Sequence, residues 1–344
     1  MDEMNLVIQT AFLGDLILAV PTLRRIKKNQ PHRKLGIVCK KGIGLFLKTE
    51  GIVDEIFEIE KSNNDSYRRA LNEIRKYKIN FLYCIHRSVR SQLFSASIEA
   101  KRKIGFSSLI SFWIFDDSVD FCSEYHEVLR QFKILETTDE ETRRQFLNEG
   151  KLIREEADFV IPEYFSFKQP LDKRMPTKRI AVFPGSVWET KKWTESGFVE
   201  LVKKLSDDGF VVHLHGAANE RDLCERIKGS LHNVEVLAGS YRVDQTIREV
   251  YYYDLVISND SAPTHMAGYQ GTPVVTIFGP TTSRMGFRPW SAKSVVIEDI
   301  SLKCRPCGAH GHKECPLKHH KCMTNISVDD VYSAANLLLN KYSN

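Results

Sequence analysis

Apolar residues recur along this chain in two alternating rhythms. Short apolar runs, Leu6-Val7-Ile8, Leu35 to Cys39, Glu55 to Ile59 and Phe81 to Ile85, read as strands. Between them, Leu16 to Lys28 and Tyr67 to Tyr77 repeat their apolar positions at helical spacing. Pro21 inside the first of these predicts a kink or a break, because proline lacks the N–H that a helix interior needs. From 161 to 178 the pattern turns irregular, with Pro162, Pro170 and Pro176 among charged and aromatic residues, and predicts a linker. Alternation then resumes. Strands are expected at Arg179 to Phe183, Val211 to His215, Val234 to Leu237 and Leu255 to Ser258, with helices at Thr194 to Asp207, Glu220 to Gly229 and Val243 to Tyr252. The pattern predicts an α/β protein with one unit over 1–165, a second over 176–327, and a last helix over 328–344 that packs back across both. Two doubly wound units in series are expected to face each other, with ligands bound in the cleft between.

Composition narrows the class. A chain of 344 residues exceeds what one hydrophobic core usually spans. With 42% hydrophobic and 27% charged residues it is globular, and no uncharged apolar run approaches the ~18 residues of a membrane span. The start, MDEMNLVIQ, is acidic and leads straight into a strand, which predicts no secretory signal and a cytoplasmic protein. A net charge of +5 does not imply nucleic acid; it suits an acidic substrate or an anionic membrane surface.

Candidate chemistry concentrates at strand-to-helix turns. In DLVISNDSAPTHMAGYQGTPVVTIFGPT, residues 254–281, Asn259-Asp260-Ser261 end an apolar strand and open a helix. Side-chain oxygens are expected to cap that helix, and its N-terminal amides, with about half a positive charge, suit a diphosphate. Phe183-Pro184-Gly185-Ser186 ends another strand, and Lys191 follows as a point charge for phosphate. His215-Gly216-Ala217-Ala218-Asn219-Glu220 places an acid at a further helix start. Near the beginning, Phe12-Leu13-Gly14-Asp15 puts Asp15 at a helix N-terminus, where a carboxylate either caps or serves as a general base. Read singly, each motif is equally an ordinary cap or a surface charge.

Four of the eight cysteines, Cys304, Cys307, Cys315 and Cys322, lie in one segment, 304–322, interleaved with His310, His312, His319 and His320. The Cys304-Arg305-Pro306-Cys307 spacing fits a zinc knuckle, which predicts a structural Zn²⁺ on the four thiolates; a loop of reduced thiols fits equally.

In order, LGD, PGS…KKW, HGAANE, NDSAPTHMA and the cysteine-rich tail resemble the heptosyltransferases of lipopolysaccharide core synthesis, glycosyltransferase family 9. The resemblance implies a GT-B fold with two Rossmann-like domains and metal-independent, inverting transfer. The implied donor is an ADP-sugar, most often ADP-heptose, and the acceptor a lipopolysaccharide-core or lipid A–Kdo type glycolipid. It places the general base on Asp15 and the lysine that neutralises the leaving diphosphate on Lys191, since a K-x-W spacing to Trp193 selects Lys191 over Lys192. Donor contacts fall on Gly185, Ser186, Glu220, Asp260, Ser261, Ala262 and His265. Where many relatives have glycine, this chain has Ala262 followed by Pro263, which leaves the backbone less freedom. Arg87, Arg90, Lys101 and Arg102 are the expected acceptor cations, with Lys40, Lys41, His86 and Lys103 in support. Phe112 and Trp113 read as core aromatics or as a peripheral contact with the inner membrane. The alternatives are a glycosyltransferase of the same family with a different donor or acceptor, a nucleotide-sugar-binding protein without catalysis, and a zinc-dependent nucleic-acid binder. An NAD dehydrogenase is disfavoured because no G-x-G-x-x-G follows the first strand, and nucleic acid is not an expected partner.

Overall fold

The computed structural model of the protein describes residues 2–149, 161, 163–167 and 178–342. Of the expected linker over 161–178, Pro162, Pro170 and Pro176 lie outside the described residues, whereas Glu163–Phe165 form a 3-10 turn of the first unit with Phe165 buried. Two compact units divide the chain, 1–167 and 168–344.

In the first unit the strands β1 (Glu3–Ile8), β2 (Lys34–Lys40), β3 (Glu55–Ile59), β4 (Lys78–Cys84), β5 (Ala100–Phe106) and β6 (Asp117–Val119) form one sheet in the order β3-β2-β1-β4-β5-β6. Every pairing is parallel. Its helices are α1 (Leu13–Leu18), α2 (Val20–Asn29), α3 (Leu45–Thr49), α4 (Asn64–Ile74), α5 (Val89–Ala96), α6 (Glu127–Phe132) and α7 (Glu140–Glu149). Helices cover the sheet on both faces, so central strands are apolar on consecutive positions rather than alternately; Leu6, Val7 and Ile8 are all fully buried. The expected break falls at Ala19, and Pro21 sits in the first turn of α2, where its missing N–H has no helical partner to lose. α4 begins before the apolar pattern does, because the Asn63 side chain accepts from the backbone N–H groups of Asp65 and Ser66.

The second unit repeats the plan with β7 (Arg179–Phe183), β8 (Val211–Leu214), β9 (Val234–Val236), β10 (Leu255–Asn259), β11 (Val274–Phe278) and β12 (Ser294–Glu298). The order is β12-β11-β10-β7-β8-β9, again all parallel. Its helices are α8 (Glu195–Asp207), α9 (Arg221–Lys228), α10 (Val243–Val250), α11 (Ala262–Gln270), α12 (Lys321–Thr324) and α13 (Val328–Tyr342). α13 packs on α8 and on β10, β11 and β12 of its own unit, burying Val331, Ala335, Leu338 and Leu339. Each such aliphatic side chain contributes about 1.5–3 kcal/mol on burial.

Both sheets reverse their strand order once, at β1/β4 in the first unit and at β7/β10 in the second. Doubly wound sheets bind ligands outside the carboxyl ends of the strands at this reversal. Asp15 follows β1, Ser186 follows β7 and Asp260 follows β10.

Candidate active site

In the second unit, β10 ends in a knot of side-chain hydrogen bonds. The Asn259 amide donates to the carbonyls of Pro184 (2.8 Å) and Gly185 (3.2 Å), and its oxygen accepts from the Trp193 N–H (2.9 Å). One buried residue thus fixes the loop after β7 and the end of the segment carrying Lys191. Trp193 is itself buried and its indole N–H donates to the Ile326 carbonyl at 3.2 Å.

Lys191 Nζ lies 2.6 Å from Asp260 Oδ2, and Thr281 Oγ1 donates to the same oxygen at 2.6 Å. The pair is nearly buried, with side-chain exposures of 14% for Lys191 and 5% for Asp260. His265, on the first turns of α11, lies within electrostatic reach of both. Its ring is buried, and Nδ1 has no hydrogen-bond partner among the described residues.

The expected capping of α11 by side-chain oxygens is not found. Asn259 and Asp260 spend their side chains on neighbouring loops, and Ser261, the N-cap residue, makes no side-chain cap bond; its hydroxyl donates to the Asn259 carbonyl at 3.3 Å. Pro263 falls in the first turn, so the helix start loses one amide without losing a helical bond.

Glu220 combines the two readings open to it. Its Oε2 accepts from the Ala217 N–H at 2.8 Å, a local cap, while its carboxylate rests against two glycines. A Cβ on Gly185 would stand 1.9 Å from Oε1, and one on Gly216 2.8 Å from Oε2. Only residues without a side chain leave that carboxylate its place. Glu220 and Ser186 line a cavity of about 650 Å³ together with Pro184, Ala217, Trp193 and Lys192.

The Cys/His segment braces this region from outside. Thr190 exchanges bonds with the His312 backbone, its N–H donating to the carbonyl at 3.1 Å and its hydroxyl accepting from the N–H at 2.7 Å, and the Thr190 carbonyl bonds His320 Nε2 at 2.8 Å. Arg305 donates to the Thr281 carbonyl (2.7 Å) and pairs with Glu298 (2.7 Å). Both loops that meet at Asp260 are therefore held by this segment. Cys304, Cys307, Cys315 and Cys322 line one small cavity. Among the described residues, however, no group of three His, Cys, Asp or Glu has metal-holding geometry, so the expected zinc set does not assemble. Cys322 is turned into the apolar core of the unit, and the Cys307 backbone is tied to the Pro280 carbonyl. Burial raises the Cys307 and Cys322 thiols, the latter to about 11. Burial acts the same way on Cys315, but the surrounding backbone N–H groups of residues 317–320 outweigh it and leave that thiol lowered.

In the first unit, Asp15 occupies the third position of α1 and its Oδ2 accepts from the Phe12 N–H at 3.2 Å. The Phe12 ring, 45% exposed, has Lys40 Nζ at 5.7 Å and Lys61 Nζ at 5.9 Å from its centroid. Burial, followed by Lys40, lowers the Lys61 pKa, and Asp15 opposes this. Arg90 donates to the Lys61 carbonyl. At the end of β4, His86 Nδ1 lies 2.8 Å from Thr10 Oγ1 and 2.9 Å from Ser91 Oγ, locking the loops after β1 and β4 together. Arg87 stacks on Phe121 at 3.7 Å.

Not every expected acceptor residue reaches this edge. Lys101 and Arg102 open β5, and because the strands are parallel they lie at the amino edge of the sheet, opposite the carboxyl edge that carries Asp15. Arg102 is also committed to Asp117 on β6 (2.9 Å), so its charge is locally matched. Phe112 and Trp113 are not core residues; they are 67% and 79% exposed, beside Leu109 at 95%. Lys61 and Glu127, whose carboxylate senses Asp15, have no motif to announce them.

Three buried histidines predict acid sensitivity. Burial holds His86 and His265 at about 4 and His215 at about 3, below the ordinary 6.5. The unfolded chain takes up these protons near pH 6.5 and the folded chain only at much lower pH, so stability is intact above pH 6.5 and is lost as pH falls toward 4. Each contributes a loss on the order of 3 kcal/mol. Urea denaturation midpoints are expected to fall steeply between pH 6.5 and 4.5; a flat profile would remove the argument.

The family model for glycosyltransferase family 9 (heptosyltransferase) matches residues 67–320. A lipooligosaccharide heptosyltransferase 2 of Campylobacter jejuni subsp. jejuni serotype O:2 is 26% identical over 339 residues, covering 96% of this chain and 97% of that protein. The structure of Escherichia coli ADP-heptose lipopolysaccharide heptosyltransferase II superimposes with a TM-score of 0.75 at 19% identity, covering 100% of both chains. That of an E. coli heptosyltransferase with ADP gives 0.71 at 14%, covering 98% of this chain and 99% of that one. The two six-stranded parallel units are those of the GT-B fold. With the family model spanning most of its length, the chain belongs to glycosyltransferase family 9, the heptosyltransferases.

Proposed function

We propose that this transferase moves heptose with inversion from ADP-heptose onto a lipopolysaccharide-core or lipid A–Kdo type acceptor. The observation that carries the reading is the cluster of Lys191, Asp260 and Thr281 at the strand reversal of the second sheet, beside a cavity bounded by Ser186 and Glu220. In this reading the cavity takes the nucleoside, Glu220 accepts from a ribose hydroxyl, and the first turn of α11 with Lys191 faces the diphosphate. Gly185, Ser261, Ala262 and His265 shape the donor's surroundings.

On the first unit Asp15 takes the proton of an acceptor hydroxyl. That oxygen bonds to the anomeric carbon from the face opposite the diphosphate, the carbon–oxygen bond to phosphate breaks, and ADP leaves with the electron pair. Lys191 balances the charge that gathers on the leaving group. Lys40, Lys61 and Arg90 provide cations for acceptor carboxylates or phosphates near Asp15, and Arg87 stands farther along the same edge. Exposed Leu109, Phe112 and Trp113 suit peripheral contact with the inner membrane, and among the described residues no helix is long and apolar enough to cross one.

The direct test incubates the enzyme with ADP- and UDP-sugars and truncated core glycolipids and identifies products by mass spectrometry. A heptosylated glycolipid formed from ADP-heptose is expected; no transfer from any ADP-sugar sinks the reading. A second test uses the glycine cradle. In Gly185→Ala the new methyl group displaces the end of the Glu220 side chain, a movement that costs little folding energy. KM for the donor is expected to rise about tenfold, the equivalent of ~1.4 kcal/mol, with kcat far less affected. An unchanged KM would take Glu220 out of the nucleoside site.

A further inference from the structure

We propose that Glu127 is a positioning residue that forms a coupled carboxylate pair with Asp15 and sets the strength of Asp15 as a base through its own ionisation. The inference rests on the reading of Asp15 as the base, and it assigns a role to a residue outside every motif of the sequence.

The geometry begins with packing. α6 lies against α1, the helix that presents Asp15. Gln131, fully buried on α6, uses both N–H groups of its amide: Nε2 donates to the Asp15 carbonyl at 3.1 Å and to Glu127 Oε1 at 3.0 Å. A single side chain therefore fixes the first helix of the unit and the Glu127 carboxylate against each other. The other Glu127 oxygen lies 3.3 Å from Arg130 Nη1. Arg130 is in turn held by the carbonyls of Cys122 (3.3 Å) and Ser123. Glu127 has 12% side-chain exposure and Arg130 7%, so neither is a solvated surface charge.

The groups facing Glu127 are Asp15 from α1 and Arg130 and Gln131 from its own helix. Of the other elements packed on α6, α2 carries Arg25, which is committed to Asp139 and Glu141, and the partly buried Arg24; the turn after α6 carries Lys133, paired with Glu136. Burial, then the Asp15 charge, raises the Glu127 carboxyl to about 7, against the pull of Arg130. Near neutrality Glu127 is therefore partly protonated, and the Asp15 charge beside it opposes its ionisation. When Glu127 loses its proton, Asp15 faces a second negative charge and becomes a stronger acceptor for the hydroxyl proton.

Two measurements test this. In the full-length enzyme, kcat/KM is expected to rise by roughly threefold to tenfold between pH 6 and 8, the effect of strengthening a base by up to one pKa unit. Glu127→Gln, which keeps the Gln131 contact, flattens that rise while remaining folded. A variant that keeps the wild-type pH profile overturns the proposal. The second readout needs no activity and leaves Glu127 intact: the Glu127 carboxyl is titrated by carbon-13 NMR in wild type and in Asp15→Asn. Loss of the Asp15 charge is expected to move its titration to lower pH, and an unmoved titration overturns the coupling. If Asp15→Asn still transfers sugar, the base reading fails instead, and the titration reports that outcome separately.

Discussion

Asp15→Asn is expected to lower kcat by about 10²–10⁴, the usual cost of removing a positioned general base. The substitution is nearly isosteric, and an Asn oxygen can still accept from the Phe12 N–H, so the start of α1 keeps its local bond. Circular dichroism and the denaturation midpoint are expected to stay close to wild type, and donor binding, which the proposed reading assigns to the second unit, to stay intact. A folded Asp15→Asn enzyme with near-normal turnover would show that the proton goes elsewhere.

Lys191→Ala carries two losses that can be separated. The rate is expected to fall by about 10²–10³, as when one donor to a developing anion is removed. Stability is expected to fall as well, by about 3 kcal/mol, because Asp260 is left buried without its cation. Adding Asp260→Asn removes the stranded charge, while Thr281 can still donate to the amide oxygen. The double variant is expected to regain most of the stability and none of the rate. Unchanged donor kinetics in the folded double variant would move the charge role away from Lys191.

Much of the architecture was legible in the apolar rhythm, for a physical reason. Parallel strands covered on both faces must be apolar at consecutive positions, so β1, β7 and β10 stand out, and Pro21 announced the division between α1 and α2. Strand β5 was not legible, because Lys101, Arg102 and Lys103 occupy its first half and only Ile104 to Phe106 are buried; the run reads as a basic patch until its neighbours β4 and β6 are known. The side chains of Asn259 and Asp260 were misread for a related reason. Local sequence suggests a cap, but tertiary partners at 184–185, 191 and 281 compete for the same oxygens and amides and prevail. Phe112 and Trp113 show the limit of composition, since an aromatic pair carries no label for inside or outside. Glu127 lies more than a hundred residues from Asp15 and Lys61 more than forty, and only the folded sheet edge brings them into one electrostatic neighbourhood.

The ion pair between Lys191 and Asp260 has one more implication. A bare ammonium in a sheltered recess would attract whichever small anion the surroundings supply, chloride and orthophosphate included. With its own counter-ion built in, the recess is electrically balanced, and a monovalent ion gains little by entering. Under the proposed donor reading, a nucleotide carrying several charges, held also through its base and ribose, is expected to draw the ammonium away from its resident partner. Discrimination against common buffer ions is then a property of the resting protein rather than something the substrate must induce.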